Sequence, residues 1–335
     1  MLIANLNIPM QTSLSATLRD ISFDFDADEL PRAVFQTVAY FSMFDFPLTA
    51  WEVYRYLWRE HLKKEAGFLD VQRVLDSGRY GIAAHEGFYV LPGRGEIVAL
   101  RKQRAAIAEK KYRRARRITS FLSFCPFVRL IAVSNSLAYS NVREDSDIDL
   151  FIITAKDKIW TARFFTAGFL KLFGLRPTPA RKRDMICLNF FVSEDALNLK
   201  NLRKSGHAPD VYFTYWVRQL VPLYDEGDVF SRFAQSNGWV ENYIGAVSGC
   251  WPNVRRRIHL RGASQLLKQG IELLAGARAV ERLCKKFQLR KLPHAIAEKA
   301  NRSTDVVISD SVLKFHERDR RNEYREKWEA RSRNI

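Results

Sequence analysis

Three aspartates that can hold a cation, Asp145, Asp147 and Asp149, lie within five positions in the stretch SNSLAYSNVREDSDIDLFIIT, residues 134 to 154. They precede an apolar run in a chain whose formal net charge is +17. Successive side chains of a strand point to opposite faces, so Asp147 and Asp149 are predicted to share one face. Two carboxylates so close repel each other, and a divalent cation between them removes the repulsion. The pair therefore predicts a metal site for Mg²⁺, with Mn²⁺ as the alternative ion.

A polar turn precedes the aspartates. Ser134, Asn135 and Ser136 follow the predicted strand VRLIAV, at the point where a short helix is predicted to begin. The first amides of a helix have no intrahelical acceptor, and together with serine hydroxyls they bind anions. A phosphate held by these three residues would lie beside the metal, as in the binding of a nucleoside triphosphate with magnesium.

The aspartates also allow an interpretation without a metal, in which a turn and the end of a strand are simply solvated. For Asp145 this interpretation is preferred, because a loop position is predicted for it. For Asp147 and Asp149 the metal is preferred, because the serine turn, the two-residue spacing and the apolar strand occur together.

These residues resemble the motif of the nucleotidyltransferase superfamily, which includes polymerase beta-like and minimal nucleotidyltransferases. Asn135 and Ser136 stand at the family's Gly-Ser pair, and SDIDL, from Ser146 to Leu150, matches its carboxylate strand. The resemblance covers residues 127 to 195. It implies a mixed sheet flanked by helices, two magnesium ions, and transfer of a nucleoside monophosphate from a triphosphate to a hydroxyl.

The chain departs from this motif at both glycine positions. Asn135 replaces the first glycine, and Ser140 stands where many members have a second one. Asparagine tolerates left-handed backbone geometry better than most residues, so the turn is expected to be kept.

The resemblance also implies a third carboxylate on a later strand. In the predicted strand ICLNFFVS the polar residue expected to point inward is Asn189, and we assign it to this third place. Asp184, Glu194 and Asp195 at the strand ends are the alternatives. The predicted catalytic group is therefore Asp147, Asp149 and Asn189.

The elements before this region resemble a winged helix. Helical spacing over LPRAVFQTVAYFSMFD ends before Pro47, and a second helix opens with a capping box between Thr49 and Glu52. A third helix, FLDVQRVLDS, precedes two β-rich runs that flank His85-Glu86-Gly87 as in a hairpin. A small helical domain with an incidental hairpin and no nucleic-acid role fits this order equally well.

A basic run, RKQRAAIAEKKYRRARR at residues 101 to 117, is compatible with a helix and contains Glu109 as its single acid. It is predicted to link two domains. Such a helix can lie along a phosphate backbone, and a solvated linker is the equally weighted alternative.

Five segments and a fold class follow from these patterns. From Phe127 onward, strands alternate with helices in a βαβαβ-like order. We therefore predict an α+β protein in which a nucleotidyltransferase-like mixed sheet is flanked by helices. Residues 205 to 245 and the region from Trp251 are predicted to be helical. The segments are a polar leader (1–20), a winged-helix-like domain (21–98), a basic linker helix (99–126), a nucleotidyltransferase-like domain (127–245) and a basic helical C-terminal region (246–335).

Composition restricts the compartment and the partners. Of the 335 residues, 47% are hydrophobic and 27% charged, as in ordinary soluble proteins. The four cysteines are widely spaced with no CxxC pair, which speaks against a zinc knuckle or a disulfide framework and favours the cytoplasm. The apolar stretch from Trp160 is too short to span a bilayer, so no membrane partner is predicted.

The sequence thus predicts a magnesium-dependent nucleotidyltransferase whose hydroxyl acceptor is unidentified. The excess of positive charge favours nucleic acid or nucleotides as partners. One alternative is a catalytically degraded relative whose basic helices bind nucleic acid. Another is an antitoxin-type protein that binds a helical partner. The oligomeric state is not predicted.

Overall fold

A computed structural model describes residues 28–206, 208–245, 256–260 and 262–332. The polar leader predicted over 1–20 lies outside the described residues, as do the boundaries proposed at positions 20 and 246. Within the described part the chain combines helices with a six-stranded mixed sheet, which confirms the α+β class. None of the described helices has the length and apolar character needed to cross a membrane.

Helices and strands alternate irregularly along the described residues. The helices are α1 (Glu29–Ser42), α2 (Ala50–Arg55), α3 (Phe68–Asp76), α4 (Ile97–Leu122), α5 (Asn135–Ala138), α6 (Ile159–Leu172), α7 (Val211–Gln219), α8 (Val229–Ser236), α9 (Ala263–Ala275), α10 (Arg278–Arg290), α11 (His294–Lys299) and α12 (Arg321–Ser332). The strands are β1 (Ala83–His85), β2 (Phe88–Val90), β3 (Val128–Val133), β4 (Ile148–Thr154), β5 (Ile186–Ser193), β6 (Val221–Asp225), β7 (Val306–Ile308) and β8 (Val312–Phe315).

The three predicted N-terminal helices and the hairpin form in the expected order. Thr49 and Glu52 make the predicted capping box at the start of α2, in which the glutamate carboxylate accepts from the Thr49 amide at 2.9 Å. The hairpin β1–β2 turns through Glu86 and Gly87, whose φ angles of 50° and 81° suit a type I′ turn. The assignment as a winged helix stays a prediction.

The central sheet has the strand order β6-β3-β4-β5-β8-β7. β4 and β5 are parallel and are joined by α6, whereas the other neighbouring pairs are antiparallel. The predicted strands over VRLIAV, DIDLFIIT and ICLNFFVS and the helix from Trp160 therefore all form. A parallel pair needs such a crossover, because its strands run in the same direction.

Both faces of the sheet are covered. Phe151 and Ile153 of β4 pack into one core with α1, α7 and α8, whereas Leu150 and Ile152 pack into a second core with α4 and α6. The N-terminal helices thus share a continuous core with one face of the sheet. Each large apolar side chain buried in this way contributes about 1.5–3 kcal/mol to stability.

Three strands depart from the predicted helices. The run VYFTYWVRQLVPLYD forms α7 but then continues as β6, where Pro222 is accommodated because β6 lies at the edge of the sheet. The C-terminal region is not helical throughout, because β7 and β8 add to the sheet next to β5. Both strands are short, with three and four residues, so their periodicity is weak.

Candidate metal and nucleotide site

The two predicted metal ligands meet at one end of β4. Asp147 lies just before the strand and Asp149 is its second residue, and both are partly buried. In the parallel register Asp149 pairs with Cys187 of β5. The carboxylate oxygens of Asp147 and Asp149 and the Cys187 sulfur all lie within 4.8 Å of one another. The alternation of side chains along the strand therefore brings the two carboxylates together.

Neither carboxylate is neutralised by a basic side chain. Among the described residues, Asp147 and Asp149 form no ion pair with lysine or arginine, although the chain contains 54 of these cations. Acids around them are paired, and these pairs are Asp145 with Arg143 (2.8 Å), Glu144 with Arg183 (2.6 Å), Asp184 with Lys111 (2.7 Å) and Glu194 with Arg232 (2.5 Å). Two adjacent carboxylates without a counterion repel each other, and an external cation between them would remove this repulsion.

The pKa of Asp149 is raised, as expected for a carboxyl group without a basic partner. Burial, followed by repulsion from Asp147, raises the pKa of the Asp149 carboxyl to about 7, against the opposing effect of hydrogen bonds from Asn135 and Cys187. Near neutral pH the pair therefore retains a proton for part of the time. A divalent cation would displace this proton, so cation binding and proton release are coupled.

Cys187 is the functional candidate that the sequence interpretation missed. Burial raises the pKa of its thiol far above the ordinary value, and the charges of Asp149 and Asp147 raise it further. The thiol is therefore neutral, and a neutral sulfur is a poor ligand for a hard ion such as Mg²⁺. The donor set fits a magnesium ion held by two carboxylates and completed by water and phosphate oxygens.

Asn135 adopts the conformation of the glycine that it replaces. Its φ angle is 54°, and Ser140, at the second glycine position, has a φ angle of 61°. The Asn135 Oδ1 accepts a hydrogen bond from the Trp216 indole at 2.9 Å, and the Asn135 side chain opposes the rise in the pKa of Asp149. The turn is thus left-handed as expected, and its side chain orients a metal-ligand candidate.

Ser134 and Ser136 hold the turn against the sheet. The Ser134 amide donates to the Asp149 carbonyl at 3.1 Å, and the Ser136 carbonyl accepts from the Asn141 amide at 2.8 Å. Ser134 is buried, whereas Ser136 is partly exposed. The first contact places Ser134 beside the backbone of Asp149, and the second closes the turn that contains Ser136.

Asn189 occupies a β-bulge. Asp149 pairs with Cys187 and Phe151 pairs with Phe190, so a step of two residues in β4 matches a step of three in β5. Asn189 lies in the longer step, and its side chain opposes the rise in the pKa of the Cys187 thiol. The residue directly across from Asp149 is therefore Cys187, and the catalytic role assigned to Asn189 stays a prediction.

A cavity of about 140 Å³ borders the turn through Asn135. Rings of Phe190, Trp216 and Tyr324 line it together with the cationic side chains of Lys314 and Arg318. Aromatic faces and cations suit a base and a phosphate respectively. The carboxylates thus lie beside a concave, positively charged space.

A buried lysine positions the loop before β4. Lys111, 2% exposed, projects from α4 and donates to the carbonyls of Glu144 (3.1 Å) and Ser146 (2.8 Å) and to the Asp184 carboxylate (2.7 Å). Lys111 therefore connects the loop that precedes β4 with Asp184, which lies just before β5. The basic helix predicted over 101 to 117 forms as part of α4. The face that contains Lys111 packs against the rest of the protein.

Lys111→Met is expected to lower the free energy of unfolding by about 3 kcal/mol, because two carbonyls and a partly buried carboxylate lose their donor. The measurement is urea denaturation followed by circular dichroism. Lys110→Met, at an exposed neighbouring position, is the control and is expected to change stability by less than about 0.5 kcal/mol. Equal midpoints for the two variants would contradict this role of Lys111.

Comparison with known proteins yields no relative of this chain. No protein-family model, no curated protein and no solved structure matches it.

Proposed function

We propose that this protein is a magnesium-dependent nucleotidyltransferase that transfers a nucleoside monophosphate from a nucleoside triphosphate to a hydroxyl. One observation carries the proposal. Asp147 and Asp149 lie side by side without a basic partner among the described residues, next to a turn in which Asn135 keeps glycine-like geometry. The nucleotidyltransferase-like fold belongs to the same proposal, and the mixed sheet with its α6 crossover supports it.

Asp147 and Asp149 would hold the magnesium ion, with manganese as the alternative. When bound, the ion neutralises charge on the triphosphate and on the leaving pyrophosphate. Within the described residues no third carboxylate joins this pair, so the donor set supports one ion more strongly than the two that the family resemblance implies.

The chain's own residues would orient the nucleotide. The Ser134 and Ser136 hydroxyls would face the phosphates from the turn. The Trp216 indole fixes the Asn135 side chain, which stabilises the charged form of Asp149 and would help to orient this carboxylate. The aromatic rings that line the cavity next to Asn135 would contact the base of the nucleotide. Positioning of this kind supplies much of the rate enhancement in phosphoryl-transfer chemistry.

The compartment is also part of the proposal. The described cysteines Cys125, Cys187 and Cys284 are all free thiols. Free, partly or fully buried thiols are typical of a reducing environment. We therefore assign the protein to the cytoplasm.

Isothermal titration with each nucleoside triphosphate, with and without magnesium, tests the function. The wild-type protein is expected to bind at least one nucleotide only when magnesium is present, and to release pyrophosphate in the presence of an acceptor. The double variant Asp147→Asn, Asp149→Asn is expected to lose at least about 100-fold in affinity for the magnesium complex.

Asp145→Asn is the matched control. Asp145 lies two residues from Asp147, is exposed and pairs with Arg143, so its removal is expected to leave binding unchanged. Nucleotide binding that is indifferent to magnesium and to the double substitution would refute the enzyme.

A second candidate function is supported by Cys187, which occupies the place across from Asp149 where a carboxylate would strengthen the metal site. In this alternative the protein is a non-catalytic nucleic-acid-binding protein. The exposed face of α4, with Lys110, Arg113 and Arg117, would bind phosphates. Salt-dependent binding to nucleic acid without pyrophosphate release would favour this function.

A further inference from the structure

A second and larger cavity lies on the other side of the bulge in β5. This cleft has a volume of about 730 Å³ and is bounded by α6, β5, α10 and α11. Asn189 lines it and lies in the same strand as Cys187, which pairs with Asp149. The strand that faces the carboxylate pair therefore also contributes to the wall of the cleft.

Four cations line the cleft without acidic partners. Arg163, Lys171, Arg176 and Lys291 form no ion pair among the described residues, and Glu317 is the one acid in the lining. By contrast, Lys111, Arg143 and Arg183 near the carboxylate strand each pair with an acid. A concave surface with several unpaired cations attracts a polyanion.

Arg163 shows that this charge is not compensated within the chain. Its Nη1 donates to Gln288 at 2.6 Å, its guanidinium lies 4.6 Å from the centroid of the Phe315 ring, and its buried Nε has no partner. Burial and the nearby Arg176 lower the pKa of Arg163 to about 10. A phosphate bound between the two guanidinium groups would relieve the repulsion between them.

Two phenylalanine rings at the cleft are exposed rather than packed in a core. Phe164 is 37% exposed and Phe287 is 43% exposed, and their centroids lie 5.6 Å apart in an edge-to-face contact. The Lys291 ammonium lies 4.2 Å from the centroid of the Phe287 ring. Aromatic faces next to cations are the features on which unpaired bases stack while their phosphates are neutralised.

We infer that this cleft binds the end of a single-stranded RNA, with phosphates on Arg163, Arg176 and Lys291 and a base on the rings of Phe164 and Phe287. The role of this RNA as the hydroxyl acceptor rests on the proposed function. The binding itself needs neither magnesium nor nucleotide. The inference therefore places the nucleic-acid interface in the cleft and not on the exposed face of α4.

Fluorescence anisotropy with a short, 5′-labelled single-stranded RNA, measured in EDTA without nucleotide, tests the inference. The double variant Arg176→Gln, Lys291→Gln removes the two exposed cations to which phosphates are assigned. It is expected to weaken binding about tenfold or more, and to reduce the slope of log affinity against log salt by about 1.4. Phe287→Ala is expected to weaken binding about tenfold without changing this slope.

Arg113→Gln, Arg117→Gln is the matched control, because it removes two exposed charges from α4. It is expected to change affinity less than twofold. A stronger effect of this control than of the cleft variant would overturn the inference, as would equal binding of duplex RNA or an absence of RNA binding. Because the assay contains no metal or nucleotide, failure here is distinguishable from failure of magnesium-dependent nucleotide binding.

Discussion

Asp149→Asn is expected to make the protein more stable above pH 7 and to remove its stabilisation by magnesium. The Asp149 carboxyl has a pKa of about 7 in the folded chain, against a usual value of 3.8. Between these two values the unfolded chain has lost the proton that the folded chain still holds, so wild-type stability falls as the pH rises through this window. Asparagine carries no charge and avoids this loss.

The expected gain for Asp149→Asn is on the order of 2 kcal/mol at pH 8 and close to zero at pH 4, after allowance for partial solvent screening. Thermal unfolding at both pH values, with and without magnesium, measures it. Wild type is expected to be stabilised by magnesium more at pH 8 than at pH 6, because the ion must displace a proton. Asp145→Asn should behave as wild type. Loss of stability in Asp149→Asn at pH 8 would show that its carboxylate is already satisfied.

Arg321→Met is expected to lower the free energy of unfolding by about 3 kcal/mol, because it removes the cation that pairs with the buried Asp210 and one of the two cations, with Lys314, that pair with Asp319. Arg321 at the start of α12 contacts Asp210 and Asp319, each at 2.8 Å, and all three side chains are at most 5% exposed. Asp210 also caps α7 by accepting from the Phe213 amide at 3.1 Å. The substitution therefore affects the anchoring of α12 and the start of α7 together.

Urea denaturation measures the effect, and Arg320→Met is the control. Arg320 is exposed and pairs only with the exposed Glu323 among the described acids, so its loss should change stability by less than about 1 kcal/mol. Burial opposes ionisation of Asp319, yet Arg321 and Lys314 lower the pKa of Asp319 to about 2. Its contribution to stability is therefore complete above about pH 4 and is lost as the pH falls towards 2. Equal destabilisation by the two variants would exclude a special role for the buried network.

Features that depend on neighbouring residues were predictable from the sequence. The capping box of Thr49 and Glu52 involves residues three positions apart, and the shared face of Asp147 and Asp149 follows from the two-residue period of a strand. The left-handed turn at Asn135 followed from its residue type and position. Each of these needs no knowledge of distant contacts.

Features set by pairing between distant strands were not predictable. Cys187 faces Asp149 because a bulge shifts the register of β5, and a single sequence contains no signal for that shift. Strand β8 contains Lys314, which is 3% exposed and would ordinarily indicate a surface position. Its ammonium is satisfied by Asp319 and by the Thr304 carbonyl, and these partners are recognisable only in the folded chain.

The pairing of Val192 with Val312 has a consequence for biosynthesis. Strand β5 leaves the ribosome long before β8 does, so one edge of the nascent sheet stays open while the intervening helices are translated. An open apolar edge recruits strands from other molecules, and chaperones that shield such edges reduce this risk. Translation that pauses before Val306 would prolong the vulnerable interval, whereas completion of β7 and β8 ends it.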